Sequence, residues 1–221
     1  MEVQAALDWL KENSTPEYRE GLARYGIVAR KAFGVSVANI QLLAKQSGRD
    51  HDLAAGLWKS GWYEARLLAS LVDEPQRATP AQMDRWCRDF DTWGVCDTVC
   101  FHLFDRTPHA WAKVNEWSDR PKEFEKRAAF ALLASLAGHN KSAGDEAFRE
   151  GLFLIERAAT DDRNFVKKGV SWALRRIGRR NDALFLESMR VAKKLAACEE
   201  APARWIGKDA LRDLTKWRDS R

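Results

Sequence analysis

The chain has 221 residues, with 37 Lys and Arg against 32 Asp and Glu, a formal net charge of +5. Apolar residues make up 45% and charged residues 31%, with only 13 glycines and 6 prolines, a balance that suits a folded helical protein and excludes a disordered chain. No apolar run approaches the roughly 20 residues that cross a bilayer, and Met-Glu-Val-Gln-Ala does not open a secretory leader, so a cytoplasmic protein with no membrane partner is expected. The modest basic excess is compatible with a polyanionic partner.

Helical periodicity runs through nearly the whole chain. It is broken at Ser14-Thr15-Pro16, Gly34, Gly48, Gly61, Thr79-Pro80, Thr107-Pro108, Gly138, Gly144 and Asn181-Asp182, with no strand pattern between. This predicts about a dozen helices of roughly 11 to 17 residues. Thr15, Thr79 and Thr107, each followed by proline, read as N-caps with proline at the first helical position. Two helices with their turns take about 35 to 40 residues, the size of one helical repeat, although no repeat consensus stands out. The expected architecture is all-α: one domain over 1–221, an α-solenoid-like curved stack of antiparallel helix pairs. An irregular helical bundle is the alternative.

Along the chain, Glu64 and Arg66 in W-Y-E-A-R read as an interhelical polar pair. Trp58, Trp62, Trp86, Trp111 and Trp117 recur near helix ends and suit packing between layers. Cys87, Cys96, Cys100 and Cys198 follow no disulfide framework, and Cys96 and Cys100 with His102 make a poor metal corner, so reduced thiols and no metal are expected.

From Phe90 the chain reads FDTWGVCDTVCFHLF, with Asp91 as a plausible N-cap of a helix reaching about Phe104. Trp93 and Asp97, four residues apart, share a face with Phe101 and Phe104, which sets one carboxylate among aromatic rings. Such an aspartate needs a cationic partner or ligand. Arg127 is a candidate partner, near the start of EFEKRAAFALLASLA, a helix apolar almost all round from Ala128 and so buried on most sides. A purely structural ion pair between the two fits equally well.

The segment RNFVKKGVSWALRRIGRR, from Arg163 to Arg180, splits into two faces at about 100° per residue. Val166, Val170, Ala173, Leu174 and Ile177 form the core stripe, while Trp172 lies roughly 140° away among Lys168, Arg175, Arg176 and Arg179. An indole there either packs on a neighbouring helix pair or contacts a base or sugar while the cations contact phosphates. Ala201 to Arg221 reads as a closing helix.

W-x-x-C-D in TWGVCD, the K-R-A-A beginning at Lys126 and the F-V-K-K-x-V-x-W-x-L-R run ending at Arg175 resemble the DNA alkylation repair enzymes of the AlkD type. The stretch from Phe33 to Ala69 resembles that family's opening repeats, so the likeness spans about Tyr25 to Arg180. It implies a curved stack of HEAT-like helix pairs and a monomeric glycosylase. Such an enzyme excises N3- and N7-alkylated purines from double-stranded DNA without a cofactor and without flipping the lesion into a pocket. By motif position, the resemblance assigns the functional cleft to Trp93, Asp97, Arg127 and Trp172. Lys126 is the other candidate for the arginine role, and Gly94 is an unusual residue that would loosen the turn beside Trp93. Tyr18 or Tyr25 would supply an N-terminal aromatic contact.

An alkylated purine is already a cationic leaving group, so its departure needs no general acid. A carboxylate that stabilises the oxocarbenium-like sugar and orients a water suffices. Asp97 fits that role, with Trp93 and Trp172 holding the sugar and backbone and Arg127 gripping a phosphate. Lys126, Lys167, Lys168, Arg175, Arg176 and Arg179 would neutralise phosphates. The alternative is a non-enzymatic HEAT-like scaffold that binds DNA or protein. No Gly-x-Gly occurs, which disfavours a helix-hairpin-helix glycosylase, a dinucleotide site and a P-loop. No RNA-binding motif is present.

Overall fold

The computed structural model describes residues 1–220, and every described regular element is helical. The chain packs as two compact units, Met1–His109 and Ala110–Arg221.

The first unit holds α1 (Val3–Glu12), α2 (Pro16–Arg24), α3 (Val37–Ser47), α4 (His51–Ser60), α5 (Tyr63–Val72), α6 (Pro80–Arg88) and α7 (Trp93–His102), which runs into a 3-10 turn at Phe104–Arg106. Thr15 and Thr79 cap α2 and α6 through their hydroxyls, with Pro16 and Pro80 opening each helix. Thr107 does not cap a helix: its hydroxyl donates back to the Phe104 carbonyl at 2.9 Å, and the next helix starts only at Ala110. Two prediction errors also fall on α7. Its cap is Thr92, whose hydroxyl accepts from the Val95 amide at 3.3 Å, rather than Asp91. The helix stops at His102, so Phe104 leaves the helical phase of Trp93 and Asp97. It is buried instead against Trp86 and Phe90, at centroid distances of 6.3 and 6.4 Å.

The predicted Glu64–Arg66 pair is absent, because each group finds a longer-range partner. Glu64, 1% exposed, accepts the amides of Phe33 at 2.9 Å and Gly34 at 2.7 Å. Arg66 donates to the Asp89 carbonyl at 3.1 Å and lies over Trp58, which stacks on Trp86 at 3.9 Å. Cys87, Cys96 and Cys100 are buried thiols outside any disulfide.

The second unit is built from α8 (Ala110–Ser118), α9 (Glu123–His139), α10 (Asp145–Ala158), α11 (Asn164–Gly178), α12 (Asp182–Ala196) and α13 (Ala201–Asp219). α9 is buried continuously from Arg127 to Ala137, as its unbroken apolar character requires. α11 packs on α9, α10, α12 and α13, and its predicted stripe of Val166, Val170, Ala173, Leu174 and Ile177 is fully buried. Side chains join successive helix pairs at a constant separation. Arg149 to Glu187, Arg157 to Asp119, Ser171 to Asp209 and Arg175 to Asp213 are each 38 residues apart. The repeat that is faint in the sequence is explicit in these rungs, each tying one helix pair to the next.

No helix among the described residues is long and apolar enough to cross a membrane.

Candidate functional site

Trp93 and Asp97 lie in the first unit, one turn apart on α7, and both are partly exposed. The Trp93 indole is fixed by its Nε1–H, which donates to the Tyr25 carbonyl at 2.9 Å. Tyr63 at the start of α5 lies against the same turn: a Cβ at Gly94 would stand 2.5 Å from the Tyr63 hydroxyl oxygen. Gly94 is therefore the residue that admits the tyrosine, and α7 starts firmly at Trp93, contrary to the loosening expected from a glycine there. Burial raises the Tyr63 phenol above its ordinary pKa, and the carboxylates of Glu64, Asp91 and Asp97 raise it further. The hydroxyl stays protonated.

The remaining candidates lie in the second unit. Arg127 is 6% exposed and donates through Nη1 to the Phe165 carbonyl at 2.6 Å, with its guanidinium 6.0 Å from the Phe165 ring centre. Its Cγ would lie 3.5 Å from a Cβ at Gly169, three residues before Trp172, so Arg127 holds the first turns of the helix that carries the second tryptophan. Lys126 instead meets Asp161 at 3.1 Å. The Arg163 guanidinium, and then Lys126, pull the Asp161 carboxyl down to about 2, against the opposing effect of burial.

Trp172 is partly exposed on α11, as the helical phase predicts. Its basic surroundings are less free than the sequence suggests. Arg175 meets Asp213 at 3.3 Å and Asp209 at 3.6 Å, and Arg179 pairs with Asp213. Lys167 sits 5.0 Å from the ring centre of Trp205, while Lys168 is exposed. Arg176 is laid across Gly138 of α9, and burial followed by the like charge of Arg179 lowers its pKa. A guanidinium disfavoured in that way gains most from an incoming anion.

Within the first unit, then, Trp93 and Asp97 come together with Tyr63. Within the second, Arg127 comes together with the α11 segment leading to Trp172. Sequence reasoning missed Tyr63 and the Tyr25 carbonyl. Their only signal was Gly94, a small residue where a helix face would otherwise hold a side chain.

The family model described as DNA alkylation repair enzyme matches residues 6–214. No curated protein matches the chain. Among solved structures, one described as a new family of proteins related to the HEAT-like repeat DNA glycosylases with affinity for branched DNA structures is similar over 100% of this chain and 95% of its own, with a TM-score of 0.85 and 16% identity. A designed armadillo repeat protein in complex with a (KR)4 peptide matches over 96% and 92%, with a TM-score of 0.44 and 12% identity. The fold is accordingly all-α and HEAT-like, and the chain belongs to the DNA alkylation repair enzyme family.

Proposed function

We propose that the protein is a DNA glycosylase. It would remove cationic N3- and N7-alkylated purines, 3-methyladenine and 7-methylguanine among them, from double-stranded DNA as the first step of base excision repair. The observation that carries this is the pair on α7: a partly exposed carboxylate, Asp97, one turn from an indole pinned by a backbone carbonyl, within a chain of this family.

Cleavage of the C1′–N bond returns the bonding electron pair to the cationic purine, which leaves neutral, while positive charge develops on the sugar. Asp97 stabilises that charge and orients the water that adds to C1′, whose proton passes to the carboxylate. On the first unit Trp93 meets the sugar with its face, and on the second Trp172 meets the DNA backbone. Arg127 positions the start of α11, and Lys167, Lys168 and Arg176 meet phosphates, with Lys126, Arg175 and Arg179 contributing once an anion competes for them. No lesion is flipped into an enclosed pocket. The protein works as a monomer without a cofactor, as a single functional domain over 1–221 and in the cytoplasm. The test is incubation of methylated duplex DNA with the protein and chromatographic identification of the free bases. Release of 7-methylguanine or 3-methyladenine supports excision, and release of neither contradicts it.

A second reading, a non-enzymatic DNA-binding scaffold, is favoured by the pairing of Arg175 and Arg179 with α13 carboxylates. It is also favoured by the branched-DNA affinity named for the structural relative. A four-way junction bound at least about tenfold more tightly than a duplex of equal length, with no base released, would select it.

A further inference from the structure

The first unit contains a cavity of about 470 Å³ lined by Arg19 and Leu22 of α2, by the loop from Ile27 to Ala32, and by Trp62 at the start of α5. Its volume is in the range of small-molecule sites. The loop turns back toward α2 because Gly26, at φ +69°, reverses the chain at the helix end, where the Ile27 amide donates to the Leu22 carbonyl at 3.0 Å. At its other end the Lys31 carbonyl accepts the Tyr63 amide at 2.9 Å, so the loop is fastened at both ends. Arg19 is seated at its root: a Cβ at Gly34 would stand 2.7 Å from the Arg19 Cβ, so only glycine lets the two segments meet. The fold itself shapes the pocket before any ligand enters.

The lining holds three cations and no carboxylate. Arg19, Arg30 and Lys31 are exposed, and none makes an ion pair or a side-chain hydrogen bond among the described residues. The nearby acids are accounted for. Glu64 is buried and accepts the amides of Phe33, Gly34 and Val35 at 2.9, 2.7 and 3.3 Å, while Glu17 and Glu20 of α2 lie outside the lining. Arg175 and Arg179, by contrast, are occupied by α13 carboxylates. Trp62 gives the pocket a flat wall: Phe33 stacks on it with ring centres 3.9 Å apart, and its Nε1–H donates to no protein group among the described residues. Three unpaired cations around one pocket are best balanced by an anion of more than one charge. A terminal phosphate ester carries about −1.5 to −2 at pH 7, whereas a phosphodiester inside a strand carries a single charge. Guanidinium groups meet phosphate oxygens in pairs, and an indole stacks on any base.

We propose that this pocket binds a nucleotide bearing a terminal phosphate, with the phosphate on Arg19, Arg30 and Lys31 and the base against Trp62. The site lies within the first unit, uses none of Trp93, Asp97, Arg127 and Trp172, and requires no bond cleavage, so it holds or fails separately from base excision. The probes are deoxyadenosine 5′-monophosphate, deoxyadenosine and deoxyribose 5-phosphate, compared by isothermal titration calorimetry on the full chain at low salt. The nucleotide is expected to bind at least about tenfold more tightly than either fragment. Arg30→Ala and Lys31→Ala, which remove exposed side chains that bond to nothing in the fold, should each weaken it at least about fivefold with an unchanged circular dichroism spectrum. Trp62→Leu should weaken the nucleotide by about fivefold and leave deoxyribose 5-phosphate unaffected. A second comparison, of 5′-phosphorylated with 5′-hydroxyl oligothymidylate, identifies the source. A preference of at least about fivefold for the phosphorylated strand assigns the pocket to a strand end, and equal binding of the two strands, with the nucleotide still bound, assigns it to a free nucleotide. The proposal would be overturned if neither the nucleotide nor the phosphorylated strand bound better than its counterpart without the phosphate. Deoxyribose 5-phosphate binding as tightly as the nucleotide, or wild-type affinity in both Arg30→Ala and Lys31→Ala, would also overturn it.

Discussion

In the proposed excision an alkylated purine leaves as a neutral base, so the groups that matter at the scale of single residues are those that place and hold negative charge near the sugar. Asp97 is the residue proposed for that part, and its surroundings explain its setting: Thr92 starts the helix, Gly94 makes room for Tyr63, and Trp93 is tied to Tyr25. In the other unit, Asp161 carries a titration with a clear sign. Its carboxyl lies at about 2 in the folded protein, held there first by Arg163 and then by Lys126, against about 3.9 for an unfolded aspartate. A depressed folded value means stability that is fully present above about pH 4 and lost as the pH falls toward 2. Urea unfolding followed between pH 5 and pH 2 should therefore show a steeper loss for the wild type than for Asp161→Asn. Parallel curves would show that the ion pairs around Asp161 add nothing to folding.

Among the elements, the legible features were those written in local periodicity. The buried stripe of α11, the all-round burial of α9 and the Thr15 and Thr79 caps each depend on residues within one or two turns. What was hidden lies one repeat away. Glu64 serves a loop 31 residues earlier, and the arginines beside Trp172 are paired with acids on α13 as far as 38 residues later, contacts without any local pattern. The α7 cap was misplaced by one residue because Asp91 and Thr92 are both good caps, and only the backbone path chooses between them. The pairing of Arg175 and Arg179 has a measurable consequence. Asp213→Asn removes one of the 32 acidic residues, takes the net charge from +5 to +6, takes from Arg179 its carboxylate partner and leaves Arg175 with Asp209 alone. Duplex affinity at low salt should rise by about three- to tenfold and its salt slope should steepen by about one. Thermal stability should fall by no more than about 1 kcal/mol. Unchanged affinity and slope in fluorescence anisotropy titrations would show that this face of α11 does not meet DNA.

For the molecule as a whole, the 38-residue rungs make the second unit a set of helix pairs joined edge to edge, the arrangement of its HEAT-like relatives. The sequence was enough to reach the helical class, the repeat length and the family, because composition, breakers and spaced motifs survive without a repeat consensus. The basic cavity of the first unit was not legible, since its wall comes from segments as distant as Arg19 and Trp62. Excision and binding are separable properties of such a molecule, and one substitution separates them. Asp97→Asn keeps the size of the side chain and removes its charge. If Asp97 stabilises the sugar cation, single-turnover release of 7-methylguanine from methylated duplex DNA falls by at least about a hundredfold, while affinity for that DNA changes by less than about threefold. Release by Asp97→Asn at the wild-type rate would contradict a catalytic role for this carboxylate.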